Sequence, residues 1–114
     1  MMDSPCYIKN VDIIPTTTPN HSAGLKKVLL SKVECTSNQT QVAVGFLSEN
    51  TLIEPHKHAT MEEFFFVTKG QGHFTIEKQR LSIEERSFVS VPANHLHSIE
   101  AITDLEFIYW SIGI

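Results

Sequence analysis

Most of the chain divides into short segments rich in β-branched and aromatic residues, each bounded by turn-forming residues. Such segments are typical of β-strands, which are predicted at residues 27–33, 40–47, 61–68, 73–76, 79–81, 86–91, 97–101 and 105–111. No segment keeps apolar residues at three- and four-residue steps for three turns, so no helix is predicted. Many short strands without helices predict an all-β, antiparallel sandwich or barrel.

The length of 114 residues suits one domain, and no stretch rich in Gly, Ser or Pro divides it. We expect the barrel core at about 27–112, because Pro5, Pro15 and Pro19 interrupt the irregular residues before it. A small barrel with exposed strand edges often pairs with itself. We therefore expect a homodimer in which residues 1–26 contact the partner and residues near 7–30 add strands to its sheet.

Charge and hydropathy exclude several classes of protein. Nine Lys and Arg against thirteen Asp and Glu give a net charge of −4, which argues against binding to nucleic acid. The densest apolar run, residues 64–67, is much shorter than the roughly 18 residues of a membrane-spanning helix. The first residues show no pattern typical of a secretory signal. Cys6 and Cys35 lack metal or redox spacing, which fits a reducing compartment and predicts a cytoplasmic protein.

Two histidines two residues apart, His56 and His58, are the first candidate for chemistry. In an extended segment they lie on the same side, and neutral imidazoles suit a transition metal. A His-x-His pattern on a surface strand is often accidental, so it needs support from elsewhere in the chain. Glu62 and Glu63 follow, and because adjacent strand residues face opposite sides, only one can point toward the histidines.

A second pair of histidines follows the turn formed by residues 92–94. Period-two arithmetic allows His95 and His97 to share one side, but the turn before them favours a loop position for His95. As a loop residue, His95 is a candidate for the mouth of a pocket.

The chain resembles the cupin superfamily in two motifs that together span residues 50–101. The first cupin motif reads Gly, five residues, His-x-His, three or four residues, Glu, six residues, Gly. Here Asn50 precedes His56 and His58 at that spacing, and Glu63 and Gly70 follow. The six-residue step to Gly70 selects Glu63 over Glu62.

The second cupin motif reads Gly, five residues, Pro-x-Gly, two residues, His, three residues, Asn. It has its counterpart in Arg86, Pro92, Asn94, His97 and Ala101. Three glycines of the family are thus replaced, by Asn50, Arg86 and Asn94. Asn tolerates a positive φ and can hold the same tight turns, whereas Arg86 suggests an altered turn before its strand. Ala101 puts a small structural contact in doubt, but no metal ligand.

The resemblance implies a double-stranded β-helix, or jelly-roll barrel, with a metal site of four ligands: His56, His58, Glu63 and His97. It implies one divalent transition metal, with Fe, Mn, Ni and Zn all open, and a small-molecule ligand. Phe65 and Val67 share the predicted inner face of their strand with Glu63, so we expect them, with His95, to line the pocket.

Three functions stay open from the sequence. The first is a metal-dependent enzyme, oxygenase- or isomerase-like, acting on a small oxygen-rich or aromatic metabolite. The second is a non-catalytic module that binds or senses a sugar or an acid. The third is a metal-free barrel that keeps its histidines as polar groups. Because no acid or base is certain to face the pocket, the catalytic residues are not predicted.

The remaining residues with reactive or polar side chains receive structural interpretations. Lys26 and Lys27 are interpreted as a solvated pair at a strand start, and Cys35 as an ordinary small residue. Tyr109 and Trp110 are adjacent on the last strand, so only one of them can face inward. Two further histidines without a partner at metal spacing are expected in exposed polar or turn positions: His21 and His73.

Overall fold

The computed structural model of the protein describes residues 6–19 and 23–114. His21, expected in an exposed polar or turn position, lies outside the described residues. Nine strands form in the described part: β1 (Leu25–Leu30), β2 (Gln39–Leu47), β3 (Leu52–His56), β4 (Met61–Lys69), β5 (Gly72–Ile76), β6 (Gln79–Ile83), β7 (Phe88–Val91), β8 (His97–Ala101) and β9 (Leu105–Gly113). Two single turns of 3₁₀ helix, Val11–Ile13 and Lys32–Glu34, complete the elements.

Two antiparallel sheets face each other. One has the strand order β1-β2-β9-β4-β7 and the other the order β3-β8-β5-β6. The core lies between them and takes side chains from both, including Phe65, Val67 and Phe107 from the first sheet and Phe74 and Ile99 from the second. The predicted all-β, antiparallel architecture is therefore confirmed. No helix in the described ranges is long and apolar enough to cross a membrane.

Most predicted strands differ from the observed ones by one to three residues at one end or both, and two differences have a clear physical cause. Residues 31–33 leave the first strand because Ser31 and Glu34 form a capping box, in which the Ser31 backbone N–H donates to Glu34 Oε1 over 3.0 Å. Strand β3 was not predicted, since Pro55 interrupts its sequence. A proline is tolerated there because β3 is an edge strand, and its pairing with β8 becomes irregular between Ile53 and His56.

The turns at the replaced glycine positions keep a left-handed backbone. Asn50, Arg86 and Asn94 have φ angles of 65°, 73° and 64°. The expectation of an altered turn at Arg86 is therefore wrong. The turn is held by backbone hydrogen bonds, from Arg86 N to the Val67 carbonyl (2.8 Å) and from Ser87 N to the Glu84 carbonyl (2.9 Å). An arginine is thus kept in a conformation that favours glycine.

The outer face of the five-stranded sheet carries an aromatic cluster of Phe64, Phe88 and Trp110. The Phe64 ring lies 6.3 Å from that of Phe88 and 5.6 Å from that of Trp110, measured between centroids. Tyr109 points the other way and packs against the core. The expectation that only one of Tyr109 and Trp110 faces inward is confirmed.

We predict that Arg86→Gly stabilises the protein by about 1 kcal/mol, because it removes left-handed strain of about 1–2 kcal/mol and adds a smaller entropic cost in the unfolded chain. Urea unfolding of both proteins measures the difference. Asn50→Gly is the matched control and should gain less, since Asn adopts positive φ more readily than Arg. A loss of stability in Arg86→Gly would contradict this account.

Candidate metal centre

Strand pairing brings the four predicted ligands together from distant parts of the chain. His56 ends β3 and His97 begins β8, and the two residues are direct cross-strand partners. His58 follows two residues after His56, and its carbonyl accepts a hydrogen bond of 2.8 Å from the Asn94 backbone. Glu63 reaches the same point from β4 in the opposite sheet. The cluster therefore bridges the two sheets.

The four side chains converge closely. Glu63 Oε1 lies 3.0 Å from His97 Nε2 and 3.2 Å from His58 Nε2. The rings of His56 and His97 are 4.3 Å apart between centroids. One ligand atom from each of the four residues lies within 4.8 Å of the others. Glu63 is only 8% exposed and His97 only 2%, so both are removed from bulk water.

Backbone carbonyls orient two of the rings. His56 Nδ1 donates to the Glu54 carbonyl over 2.9 Å, and His97 Nδ1 donates to the His95 carbonyl over 2.9 Å. A carbonyl oxygen only accepts, so in the neutral ring Nδ1 carries the hydrogen and Nε2 keeps its lone pair. This arrangement is typical of metal-binding histidines, whose second nitrogen is held by an outer partner.

The chemistry of these donors fits a cation. A neutral imidazole Nε2 and a carboxylate oxygen are both acceptors, so at 3.0 Å they need a proton or a positive ion between them. Two ligands of one transition metal ion lie at most about 4.2 Å apart, twice the usual bond length. The observed spread of 4.8 Å differs from that limit by no more than a small side-chain rotation. The cluster is therefore consistent with a metal site, and the identity of the ion stays open.

The pKa values of His97 and His56 are shifted in opposite directions. Burial lowers the pKa of His97, but its hydrogen bond to Glu63, its bond to the His95 carbonyl and the Glu63 charge together raise that pKa above its ordinary value. For His56, burial dominates and lowers the pKa, helped by repulsion from His97 and His58. His56 is thus ready as a neutral ligand, whereas a metal ion at His97 competes with a proton that this ring releases less readily than an ordinary histidine.

A cavity of about 680 Å³ opens beside the cluster, within the size range of small-molecule sites. His56, His58 and Glu63 form part of its wall, together with Tyr109. Burial and the Glu63 charge raise the pKa of Tyr109 to about 12, so its hydroxyl stays protonated at neutral pH.

The three residues expected to line the pocket lie elsewhere. Phe65 and Val67 do face inward, but they belong to the hydrophobic core beneath the site, where the Phe65 ring lies 6.3 Å from the His97 ring. His95 is exposed, and its Nδ1 donates to the Ala93 carbonyl over 3.0 Å. None of the three is among the residues that border the cavity. The prediction that Phe65 and Val67 face inward with Glu63 was correct. However, these two side chains pack in the hydrophobic core below Glu63 and do not border the cavity.

Lys26 is a residue of the cavity wall that the sequence did not reveal. It was interpreted with Lys27 as a solvated pair, but both side chains are half-buried and they face opposite sides of the sheet. Lys27 Nζ donates to the Val11 carbonyl over 2.9 Å, whereas Lys26 Nζ donates to Gln41 Oε1 over 3.2 Å inside the cavity. The signal available from sequence was alternation along the strand, which does not say which lysine faces inward.

Other polar residues have structural surroundings. His73 Nδ1 lies 3.2 Å from Arg80 Nη2 on the four-stranded sheet, away from the cluster. Cys35 donates through its thiol to the Ser31 carbonyl over 3.2 Å and is half-buried. Neither residue contributes to the candidate metal centre.

The profile of a family described as Cupin domain matches residues 46–113. The chain belongs to the cupin family. The match includes all four residues of the cluster, so the resemblance drawn from the two motifs is confirmed. The jelly-roll fold implied by that resemblance is confirmed as well, by solved structures that superpose on this cupin.

Several known proteins are similar to this cupin. An uncharacterised protein of Methanocaldococcus jannaschii is 29% identical over 84 residues, which are 74% of this chain and 57% of that protein. The chain thus spans little more than half the length of this curated relative. A crystal structure from Thermotoga maritima, described as a predicted oxalate decarboxylase, superposes with a TM-score of 0.86 at 23% identity, covering 95% of this chain and 100% of the other. Ectoine synthase from P. lautus superposes with a TM-score of 0.81 at 11% identity, covering 94% and 78%. At these identities the structures establish the fold alone.

We predict that the affinity of this cupin for Zn²⁺ rises with pH and falls steeply below about pH 6. The raised pKa of His97 means that this ring stays protonated to higher pH than an ordinary histidine, so the metal must displace its proton. Affinity therefore increases until the pH passes that raised pKa. Competition with a chromophoric chelator at several pH values measures it. A constant affinity between about pH 5 and about pH 8 would contradict this prediction.

Proposed function

We propose that this cupin binds one divalent transition metal through His56, His58, Glu63 and His97 and uses it on a small molecule in the adjacent cavity. The observation that carries the proposal is the convergence of three imidazole nitrogens and one carboxylate oxygen, with His56, His58 and Glu63 in the wall of that cavity. Fe, Mn, Ni and Zn all accept such ligands. When bound, the ion would supply Lewis acidity, or binding of dioxygen if it is a redox metal.

The residues of the chain would fix the ligand and its surroundings. The Tyr109 hydroxyl, protonated because of its raised pKa, is available to donate a hydrogen bond into the cavity. The core beneath the cluster keeps water away from His97. We infer an enzyme that acts on a small oxygen-rich or aromatic metabolite. Two proteins with the same fold, a predicted oxalate decarboxylase and an ectoine synthase, support a catalytic use of this fold.

A non-catalytic binding or sensing role is the second candidate. Among the described residues that border the cavity, Glu63 is the only carboxylate, and it belongs to the proposed ligand set. No second acidic group is therefore placed to move a proton for a reacting molecule. This observation favours a module that holds a small acid or sugar without converting it.

We predict that Glu63→Gln weakens metal binding more than about a hundredfold, since even outer partners of metal ligands change affinity by about 10- to 100-fold. Metal analysis and chelator competition on protein without a histidine tag measure the loss. Glu62→Gln is the matched control, because Glu62 is the cross-strand partner of Ile112 on the other face of the strand. Equal affinities in the two variants, or no metal bound by the original protein, would overturn the proposal.

Turnover separates the two candidate functions. Oxygen consumption with Fe²⁺ across phenols, keto acids and thiols supports the oxygenase form of the enzyme. Isomer formation from sugars, followed by proton NMR, supports the isomerase form. Tight binding of a sugar or an acid without product over hours supports the sensing role and contradicts both enzymatic forms.

We also propose that the chain forms a homodimer and resides in the cytoplasm. Phe88, 58% exposed beside Trp110 and Phe64, offers an apolar contact that a second copy would cover with the same residues across a two-fold axis. Sedimentation velocity tests this: a monomer at micromolar concentration contradicts the dimer. The matched variants are Phe88→Lys, on the proposed contact, and Leu81→Lys, on the four-stranded sheet. The cytoplasmic location rests on the cysteine pattern alone.

A further inference from the structure

The described residues that border the cavity carry more positive than negative charge, although the protein as a whole is acidic. Of the described residues that border it, three are lysines, Lys26, Lys32 and Lys57, and Glu63 is the only acidic one. The whole chain has the opposite balance, with nine basic against thirteen acidic residues. A divalent ion at the cluster would add further positive charge. The cavity therefore favours a negatively charged occupant over a neutral one of the same shape.

Lys26 belongs to the wall itself, whereas Lys32 and Lys57 are exposed at the rim. The cross-strand partner of Lys26 is Gly45. Gly45 faces the inside of the barrel, where an added Cβ would lie 2.6 Å from the Phe107 ring. The Phe107 ring occupies the space that a Gly45 side chain would take, so Gly45 marks the inner face of the sheet. Directly paired residues share a face, so the Lys26 side chain also lies on the inner face, where its ammonium group reaches Gln41.

The charge of Lys26 has no acidic partner in the described part of the chain. Its Nζ donates to Gln41 Oε1 over 3.2 Å, and none of the ion pairs formed by described residues includes it. An ammonium group has three donors, and a half-buried one gains from a charged acceptor. Gln41 adds an amide nitrogen with two further N–H donors at the same place. These donors match the two oxygens of a carboxylate.

The strand register fixes how far this place lies from the metal ligands. Gln41 pairs with Ser111 on β9, and Ser111 pairs with Glu63 on β4, so the three residues form one row across the inner face. Adjacent strands are about 4.8 Å apart, which places the Gln41 and Glu63 backbones about 10 Å apart. Side chains from both ends shorten that gap to the length of a molecule of a few carbon atoms.

We propose that Lys26 and Gln41 form a carboxylate-binding subsite, which holds one end of a small organic acid whose other end lies at the His56–His58–Glu63–His97 cluster. A carboxylate is favoured over a phosphate because Lys26 is the one half-buried lysine among the described residues that border the cavity, so it balances a single negative charge better than the double charge of a phosphate. The proposal deepens the proposed function by naming the substrate class of the same site, and it rests on that function only for the second end of the ligand.

Calorimetric titration with malonate, succinate and benzoate, each beside its neutral amide, tests the subsite in metal-free and Zn²⁺-loaded protein. At least one acid should bind the original protein, and Lys26→Met should weaken that binding about tenfold or more in both forms. Lys26→Arg should retain most of it, because the positive charge remains. The amides should bind weakly and respond little to Lys26→Met.

Lys27→Met is the matched control, since Lys27 lies next to Lys26 on the opposite face of β1. Thermal unfolding verifies that each variant folds. The subsite is overturned if no acid binds, if Lys26→Met binds acids like the original protein, if Lys27→Met loses as much, or if the amides bind equally well. Metal analysis of the same samples stands apart: metal binding without any acid binding that depends on Lys26 contradicts only the subsite, and acid binding that depends on Lys26 without any bound metal contradicts only the metal centre.

Discussion

The candidate metal centre depends on one electrostatic constraint: several hydrogen-bond acceptor atoms converge at a position that is largely removed from water. Glu63 Oε1 lies within 3.2 Å of two imidazole nitrogens, and His97 is almost fully buried. Acceptors at such distances repel one another unless a proton or a cation lies among them. Without a metal, the Glu63 carboxylate favours a proton on His97, which is why the pKa of that residue is raised despite its burial. Metal and proton compete for the same position.

The fold keeps these acceptors together although their repulsion opposes it. The three histidines belong to the four-stranded sheet and the loop after its edge strand, and Glu63 belongs to the five-stranded sheet. The core residues Phe65, Phe74 and Ile99 pack between the sheets immediately below the cluster. Because packed interiors deform little, the sheets cannot separate to relieve the repulsion. The hydrophobic core thus holds the candidate metal ligands in a preorganised arrangement.

Much of this could be predicted from the sequence, because the deciding signals were local. Alternation and turn residues predicted the strands, and the resemblance of two sequence motifs to the cupins implied the cluster of His56, His58, Glu63 and His97. The rest depends on tertiary context. Strand β3 contains Pro55, and only its edge position makes it a strand. Arg86 adopts a positive φ because backbone bonds to distant residues hold the turn, against the preference of its own side chain.

The cavity wall was the part least accessible to sequence reasoning, since cross-strand register decides it. Whether Lys26 or Lys27 faces inward depends on which of them pairs with Gly45, and neither residue type encodes that pairing.

The charge near the cavity differs in sign from the net charge of the whole chain. The excess of acidic residues over the chain is screened in solution beyond about 8–10 Å at physiological salt. Inside the cavity screening is weaker, so the half-buried ammonium of Lys26, and a metal ion bound at the cluster, would act on a ligand at close range. A net charge of −4 therefore does not oppose the binding of a small acid, because the groups nearest the ligand, and not the charge of the whole chain, determine its electrostatic energy.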